Sequence, residues 1–329
     1  MKYLLYCFQV WFLGLVLFAA AACTTESAIQ QVLGISAETP VFLACRPVSP
    51  REISFLFSRA VRVDSLRFSV PAEIASISSG ETVRVNLTEP LEPGARVTAD
   101  ILVADEEGNT LNVLVSFMAR NDNMPKLMIT EVRTEYSKPR VEFVEFYTLT
   151  PGNLGALRLF AEGNGASSPL YEFPPVSVNA GEYIVVHLRS LYEEAVDETG
   201  KDLAATPPSK ENEALASARD FWIPGAKKQL KKEAGAVYFL NQDDEVLDAL
   251  LFSGSGGDWP EKMVAVVQFL ADKAAWTGTP LSSQGTTATR SLCRREDQRD
   301  SNSAGDWYIA ASSGSTPGAR NNPKVYVPK

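Results

Sequence analysis

The sequence predicts an all-β protein made of two β-sandwich domains in tandem, the second carrying a helical insertion and one packed helix. Three observations predict it. Short runs of alternating apolar and polar residues recur roughly every ten to fifteen positions. Clusters of Gly, Pro, Asn, Asp and Ser fall between those runs. Helical spacing of apolar residues is confined to a few places late in the chain. At 329 residues, 45% of them apolar, the chain has material for about two ordinary domains.

The first 22 residues read as an export leader. Lys2 supplies a positive start, Tyr3 to Phe18 is a continuous apolar run, and Ala19 to Ala22 are small. Ala20-Ala21-Ala22-Cys23 resembles a bacterial lipobox, although Ala20 stands where leucine is commoner. The resemblance implies acylation of Cys23 and attachment to a membrane outside the cytoplasm. An uncleaved anchor is the alternative, because about twenty apolar residues can cross a bilayer, and a plain secreted form is a third. Thr24 after the cysteine, in place of aspartate, favours the outer membrane by analogy with bacterial sorting signals, facing the periplasm or the cell surface. Residues 23–35 are a polar tether.

The first domain spans 36–122, with strands expected at Val41–Ala44, Glu52–Phe57, Leu66–Val70, Thr82–Leu87, Arg96–Val103 and Leu111–Phe117. Val83-Arg84-Val85-Asn86-Leu87 alternates throughout, which marks a strand with one buried face. Turns are expected at Pro47–Pro50, Ser79-Gly80, Glu92-Pro93-Gly94 and Glu106–Asn109. Asp105, Glu106 and Glu107 invite a calcium site, but their spacing matches no EF-hand loop. An acidic hairpin turn in solvent is the simpler reading. Phe57-Ser58-Arg59-Ala60-Val61 and Leu91-Glu92-Pro93-Gly94 resemble bacterial immunoglobulin-like modules, which implies a spacer or an adhesive surface.

The second domain spans 126–322, followed by a tail at 323–329, and carries an insertion at about 190–233. Leu127–Val132 and Val141–Tyr147 alternate as half-buried strands, with Glu131, Glu142 and Glu145 on what reads as a solvent-facing side. His187, the single histidine, ends the strand Tyr183-Ile184-Val185-Val186. In the insertion, Asn212–Arg219 has helical character, and Phe221-Trp222-Ile223 lies on what reads as a connection, where it either caps an open end of the sandwich beside solvated lysines or is exposed to a ligand. Lys227, Lys228, Lys231 and Lys232 then fall on one side of a short helix. Asp258 is a candidate cap for a helix with Pro260 in its first turn, whose face is Met263, Val266, Val267 and Leu270.

Leu127-Met128-Ile129-Thr130-Glu131-Val132, Val141–Tyr147, Asn179–Val186, Val237–Asp248, Thr289–Leu292 with Asp300–Trp307, and the closing Thr316-Pro317-Gly318-Ala319-Arg320-Asn321 follow one another in a set order. In that order they resemble the lamin-tail domain, an immunoglobulin-like β-sandwich. The resemblance implies a fold and an extracytoplasmic setting. It also implies that the strand carboxylates are structural, since the family carries acidic residues there without being an enzyme family. The long insertion departs from a minimal domain of this kind.

Function is read mostly by exclusion. The chain has a net charge of −9, which repels nucleic acid unless a local basic patch intervenes. One histidine leaves little room for His-dependent catalysis or His-rich metal sites, and no phosphate-binding glycine loop, CxxC pair or HExxH motif occurs. No cofactor, metal or catalytic residue is assigned. Of four cysteines, Cys7 lies in the leader and Cys23 would carry lipid. Cys45 and Cys293 are either a disulfide, permitted outside the cytoplasm, or two buried thiols.

The leading expectation is a non-enzymatic cell-envelope lipoprotein. It would be membrane-anchored through its acyl groups and would present its sandwiches as a scaffolding or binding surface to envelope proteins. The alternative is a module that captures extracellular DNA or polysaccharide through Trp222 and the four lysines, helped by Arg290 and Arg294. A hydrolase using an unrecognised carboxylate site is the third reading.

Overall fold

The computed structural model describes residues 39–162, 168–191, 195–200 and 213–328. The leader, Cys23 and the tether therefore lie outside the described residues, as do 163–167, 192–194 and 201–212 of the second domain. Among the described residues no helix is long and apolar enough to cross a membrane. The described residues divide into two compact units, one of residues 39–90 with 96–117, the other of 91–95 with the described residues from 118 onward. Leu91–Ala95, expected within the first domain, thus packs with the second. Gly94 (φ +72°) approaches Gly155 and Ala156 so closely that a Cβ would sit 2.3 Å from the Ala156 nitrogen, a contact that only glycine permits.

The first unit contains β1 (Phe42–Ser49), β2 (Glu52–Phe68), β3 (Ile74–Ile77), β4 (Gly80–Leu87), β5 (Arg96–Ala104) and β6 (Thr110–Met118). The two strands expected at Glu52–Phe57 and Leu66–Val70 are one bent strand of 17 residues. Its first half pairs with β1 and β4 and its second half with β5. Register shifts at Leu56/Val61 and Val63/Ser65 give the bend that lets one strand serve both layers. Pro47, expected in a turn, lies within β1 opposite Ile53. Among the described residues no other strand pairs with β1, and an edge position tolerates a residue without an N–H. Ile53, Phe55, Val83, Val85, Val97 and Ile101 form the buried centre.

The second unit packs two main sheets face to face. One has the order β14-β13-β8-β7-β18-β19, the other β11-β10-β15-β16-β17. The first comprises β7 (Leu127–Arg133), β8 (Phe143–Thr148), β13 (Tyr183–His187), β14 (Arg219–Trp222), β18 (Leu292–Arg294) and β19 (Trp307–Ile309). The second comprises β10 (Arg158–Glu162), β11 (Tyr171–Glu172), β15 (Ala234–Leu240), β16 (Val246–Ser253) and β17 (Leu281–Ser282). A small pair, β9 (Gly152–Asn153) with β12 (Ser177–Val178), stands apart.

Between the layers Phe146 meets Phe173 edge-on at 5.8 Å and Phe239 at 5.2 Å, among Ile129, Val144, Leu159 and Ile184. Each such side chain contributes roughly 1.5–3 kcal/mol by leaving water. The helix α1 (Glu261–Asp272) lies over β15 and β16, with Met263 and Leu270 buried. Pro260, not Asp258, is its N-cap residue, and no side chain caps it.

The insertion differs most from expectation. Asn212–Arg219 and the lysine segment form no helix where they are described. Arg219–Trp222 is instead a strand, parallel to β13 and extending the six-stranded sheet. Asp220 and Glu198 exchange backbone and side-chain bonds along its outer edge, and the Trp222 backbone N–H donates to Asp197 at 2.7 Å. The strand shows no alternation in sequence because both faces of β14 are covered.

Candidate functional site

The densest chemistry lies on the outer face of the six-stranded sheet, the one turned away from the other sheet. Glu131 on β7 and Glu145 on β8 are Cα partners across the strand pair. Both are fully buried, as is Glu142 just before β8. This corrects the solvent-facing reading. The alternation did place the glutamates away from the apolar core, but the chain from 311 to 322 crosses that face and covers it.

The cover is bound to the carboxylates themselves. Glu131 accepts from the hydroxyls of Ser291 and Ser315, the latter at 2.6 Å. It also accepts from the Thr316 N–H at 3.0 Å. Glu145 accepts from the Gly318 N–H at 2.6 Å and is bonded to the Thr130 hydroxyl at 2.6 Å. Asn321 donates its side-chain amide to the Thr130 and Arg294 carbonyls, and its backbone N–H to Glu296 at 2.8 Å. Ser315 also receives from Arg133, whose guanidinium is paired with Glu213 at 2.7 Å. The closing Ser-Thr-Pro-Gly segment is therefore held by short hydroxyls and backbone amides, the donors that fit beneath a close-lying strand.

Burial raises the Glu131 carboxyl above the ordinary range, against the lowering effect of its hydroxyl and amide donors and of Arg133. Burial raises Glu145 well above that range, and the Glu131 charge opposite adds to it. Burial likewise raises the Cys293 thiol, which lies beside Glu131 in register.

Several other buried charged groups in this unit are paired inside it. Arg189 pairs with Glu142 and lies over the Tyr136 ring. Arg219, fully buried, pairs with Glu182 at 2.7 Å and donates to the Glu198 and Gly200 carbonyls. Arg294 forks onto both oxygens of Asp248 and lies over Trp307. His187 is bonded to Asp220 at 2.8 Å and stacks on Trp222 at 3.8 Å. These arrangements neutralise buried charge. Among the described residues none places a nucleophile beside His187, and no group of three or more His, Cys, Asp or Glu could hold a metal ion.

The residues expected to capture a ligand are not brought together. Trp222 is buried in β14 and Arg294 is buried against Asp248. Arg290 is half-buried with its guanidinium over Tyr326. Lys227, Lys228, Lys231 and Lys232 are exposed on the connection between β14 and β15, with Lys228 reaching Glu135 at 3.2 Å. A tryptophan in a strand covered on both faces cannot serve as an open stacking platform, so Trp222, the lysines and the arginines do not form one site. Cys45 and Cys293 are both free thiols and form no disulfide. In the first unit the acidic turn is present, but Asp105 is buried rather than solvated, bonded to Asn109 and to Arg59.

An open cleft of about 510 Å³ separates the Arg294–Gln298 segment from Arg320–Pro323. Arg295 lies over Tyr308, and Arg320 bridges to Asp297 across it. Sequence reasoning missed this cleft because its two walls are remote in the chain. Arg290–Asp300 does carry a visible run of interleaved charges.

The fold and this site define an all-β sandwich protein whose outer sheet face is closed by its own C-terminal segment. Residues 125–309 match the family described as the second domain of the TP_1001 protein, over more than half of the chain, and the chain belongs to that family. It is also 33% identical over 144 residues to an uncharacterized protein of Treponema pallidum (strain Nichols). That match covers 42% of this chain and 34% of the relative, so the chain spans about a third of that protein's length.

Proposed function

We propose that the protein is an exported, lipid-anchored component of the cell envelope, without enzymatic activity, whose β-sandwich units act as a scaffolding or interaction surface. In this reading the second unit is of the lamin-tail type. The observation that carries it is the use made of the strand carboxylates. Glu131, Glu142 and Glu145 are each bonded to another part of the fold, which leaves none of them facing a space where a substrate could lie. The leader and Ala20-Ala21-Ala22-Cys23 support the anchor.

Growth with a palmitate analogue tests the anchor. The intact chain takes up label and partitions with membranes, and Cys23→Ala loses the label. An unlabelled intact chain in the soluble fraction overturns the reading.

A second reading is favoured by one feature, the four exposed lysines on a chain of net charge −9. In it, that loop meets an anionic polymer such as extracellular DNA or an acidic polysaccharide. Such binding weakens steeply with salt. Replacing the four lysines with glutamine abolishes it, and binding that is unchanged by the substitutions rules the loop out.

A further inference from the structure

The segment from 311 to 322 leaves β19 and returns to it. Ala310 bridges Val325, and Tyr326 donates back to Ile309. Between those two anchor points the chain arches over the sheet, bonded at Ser315, Thr316 and Gly318 to the two glutamates and at its far end through Asn321 and the Tyr308 hydroxyl. Carboxylates directly opposite one another on neighbouring strands repel when both are charged, and burial leaves that repulsion poorly screened. Glu131 is the one equipped for charge, with four hydroxyl or amide donors and Arg133 nearby. Glu145 has one amide, one hydroxyl and, among the described residues, no paired cation. Its 2.6 Å contact with Thr130 suits a carboxyl O–H as donor equally well.

We propose that the arch is a strap latched by the Glu131–Glu145 pair, docked while the pair keeps one proton and released once both carboxylates are ionised.

The surroundings agree from every side. Glu296, beyond β18, adds a third negative charge and itself binds the strap through the Asn321 N–H. Cys293 on β18, Tyr308 on β19 and Tyr183 on β13 are all shifted upward, chiefly by burial. They stay neutral over the range in which a carboxyl titrates. Arg133 is taken by Glu213, and Arg320 on the strap is taken by Asp297. With Glu131 already charged, Glu145 is therefore the next of these groups to ionise as pH rises. Undocking lets water reach the pair and returns Glu145 to its ordinary range. Linkage then weakens docking about tenfold for each pH unit between the undocked and the docked values, and no further above the docked value. Because Arg320–Pro323 is one wall of the cleft, release also opens the cleft.

Hydrogen exchange on the full chain in detergent tests this, with rates corrected for the intrinsic effect of pH on amide exchange. Between about pH 5, near the ordinary carboxyl range, and pH 9 the Thr316 and Gly318 amides lose at least about tenfold in protection, while Val237 and Leu250 in the opposite sheet keep theirs. In Glu145→Gln the strap amides show no such fall, since the glutamine cannot ionise. Flat protection at Thr316 and Gly318 in the unmodified chain overturns the proposal. So does a fall that persists in Glu145→Gln, or one shared by Val237 and Leu250. If the glutamine variant does not fold, the unmodified series decides alone.

Discussion

Strands β4 of the first unit and β7 of the second unit are similar in sequence pattern, yet they are buried differently. In β4, Val83, Val85 and Leu87 are buried while Thr82, Arg84 and Asn86 face solvent. In β7, Thr130, Glu131 and Arg133 are as buried as Ile129 and Val132. Alternation records which side of a strand meets the apolar core. It is silent on what covers the other side. In β4 that cover is water, and charged groups there cost nothing. In β7 it is protein, and every carboxylate needs a donor or a cation to be tolerated.

That difference should show most strongly when a buried pair is broken. Arg294→Met strands the Asp248 carboxylate and should cost about 3–5 kcal/mol in urea unfolding of the second unit. Arg84→Met on the solvent face of β4 should stay within about 0.5 kcal/mol in the first. Equal losses would erase the contrast. Trp222→Ala, which removes the partner of His187 from a covered strand, should also cost about 3–5 kcal/mol. Substituting any one of the four exposed lysines should be nearly neutral, within about 0.5 kcal/mol. A neutral Trp222→Ala would restore that side chain as a surface residue.

Acidity separates the two units by sign. Burial and the opposed Glu131 charge raise Glu145 above its unfolded value. The stability it contributes is thus complete at low pH and lost as pH rises through the docked value. Asp105 in the first unit is held below its ordinary range, its burial outweighed by bonds from Asn109 and Arg59. Its contribution is present above the unfolded value and lost as pH falls. Denaturation followed by probes specific to each unit should therefore find the second weakening on the alkaline side and the first on the acid side. Parallel profiles would contradict both assignments.

Much of the architecture is legible in the sequence. Val83–Leu87, Val141–Tyr147 and Val237–Asp248 declare strands through alternation and turn residues, and Met263 to Leu270 declares a helix through its spacing. The failures share one physical cause. Phe221-Trp222-Ile223 reads as a connection because a strand buried on both faces has no alternation to follow. Glu131 and Glu145 read as solvated residues because their cover comes from Ser315, Thr316 and Gly318, more than 170 positions away. Pairings such as Arg294 with Asp248 join strands through the topology, which no local window contains. Only the closing Thr316–Asn321 motif gives a hint. Its hydroxyl, proline and glycine suit a segment that must lie close against a strand and donate from its backbone.

The most direct test of whether the outer-face carboxylates bind the C-terminal segment is a double-mutant cycle on Glu131→Gln and Ser315→Ala, read by urea unfolding. Residues in one hydrogen-bond network couple, so the pair should deviate from additivity by about 0.5–3 kcal/mol. Effects that simply add, within about 0.3–0.5 kcal/mol, would mean that Glu131 does not hold the strap.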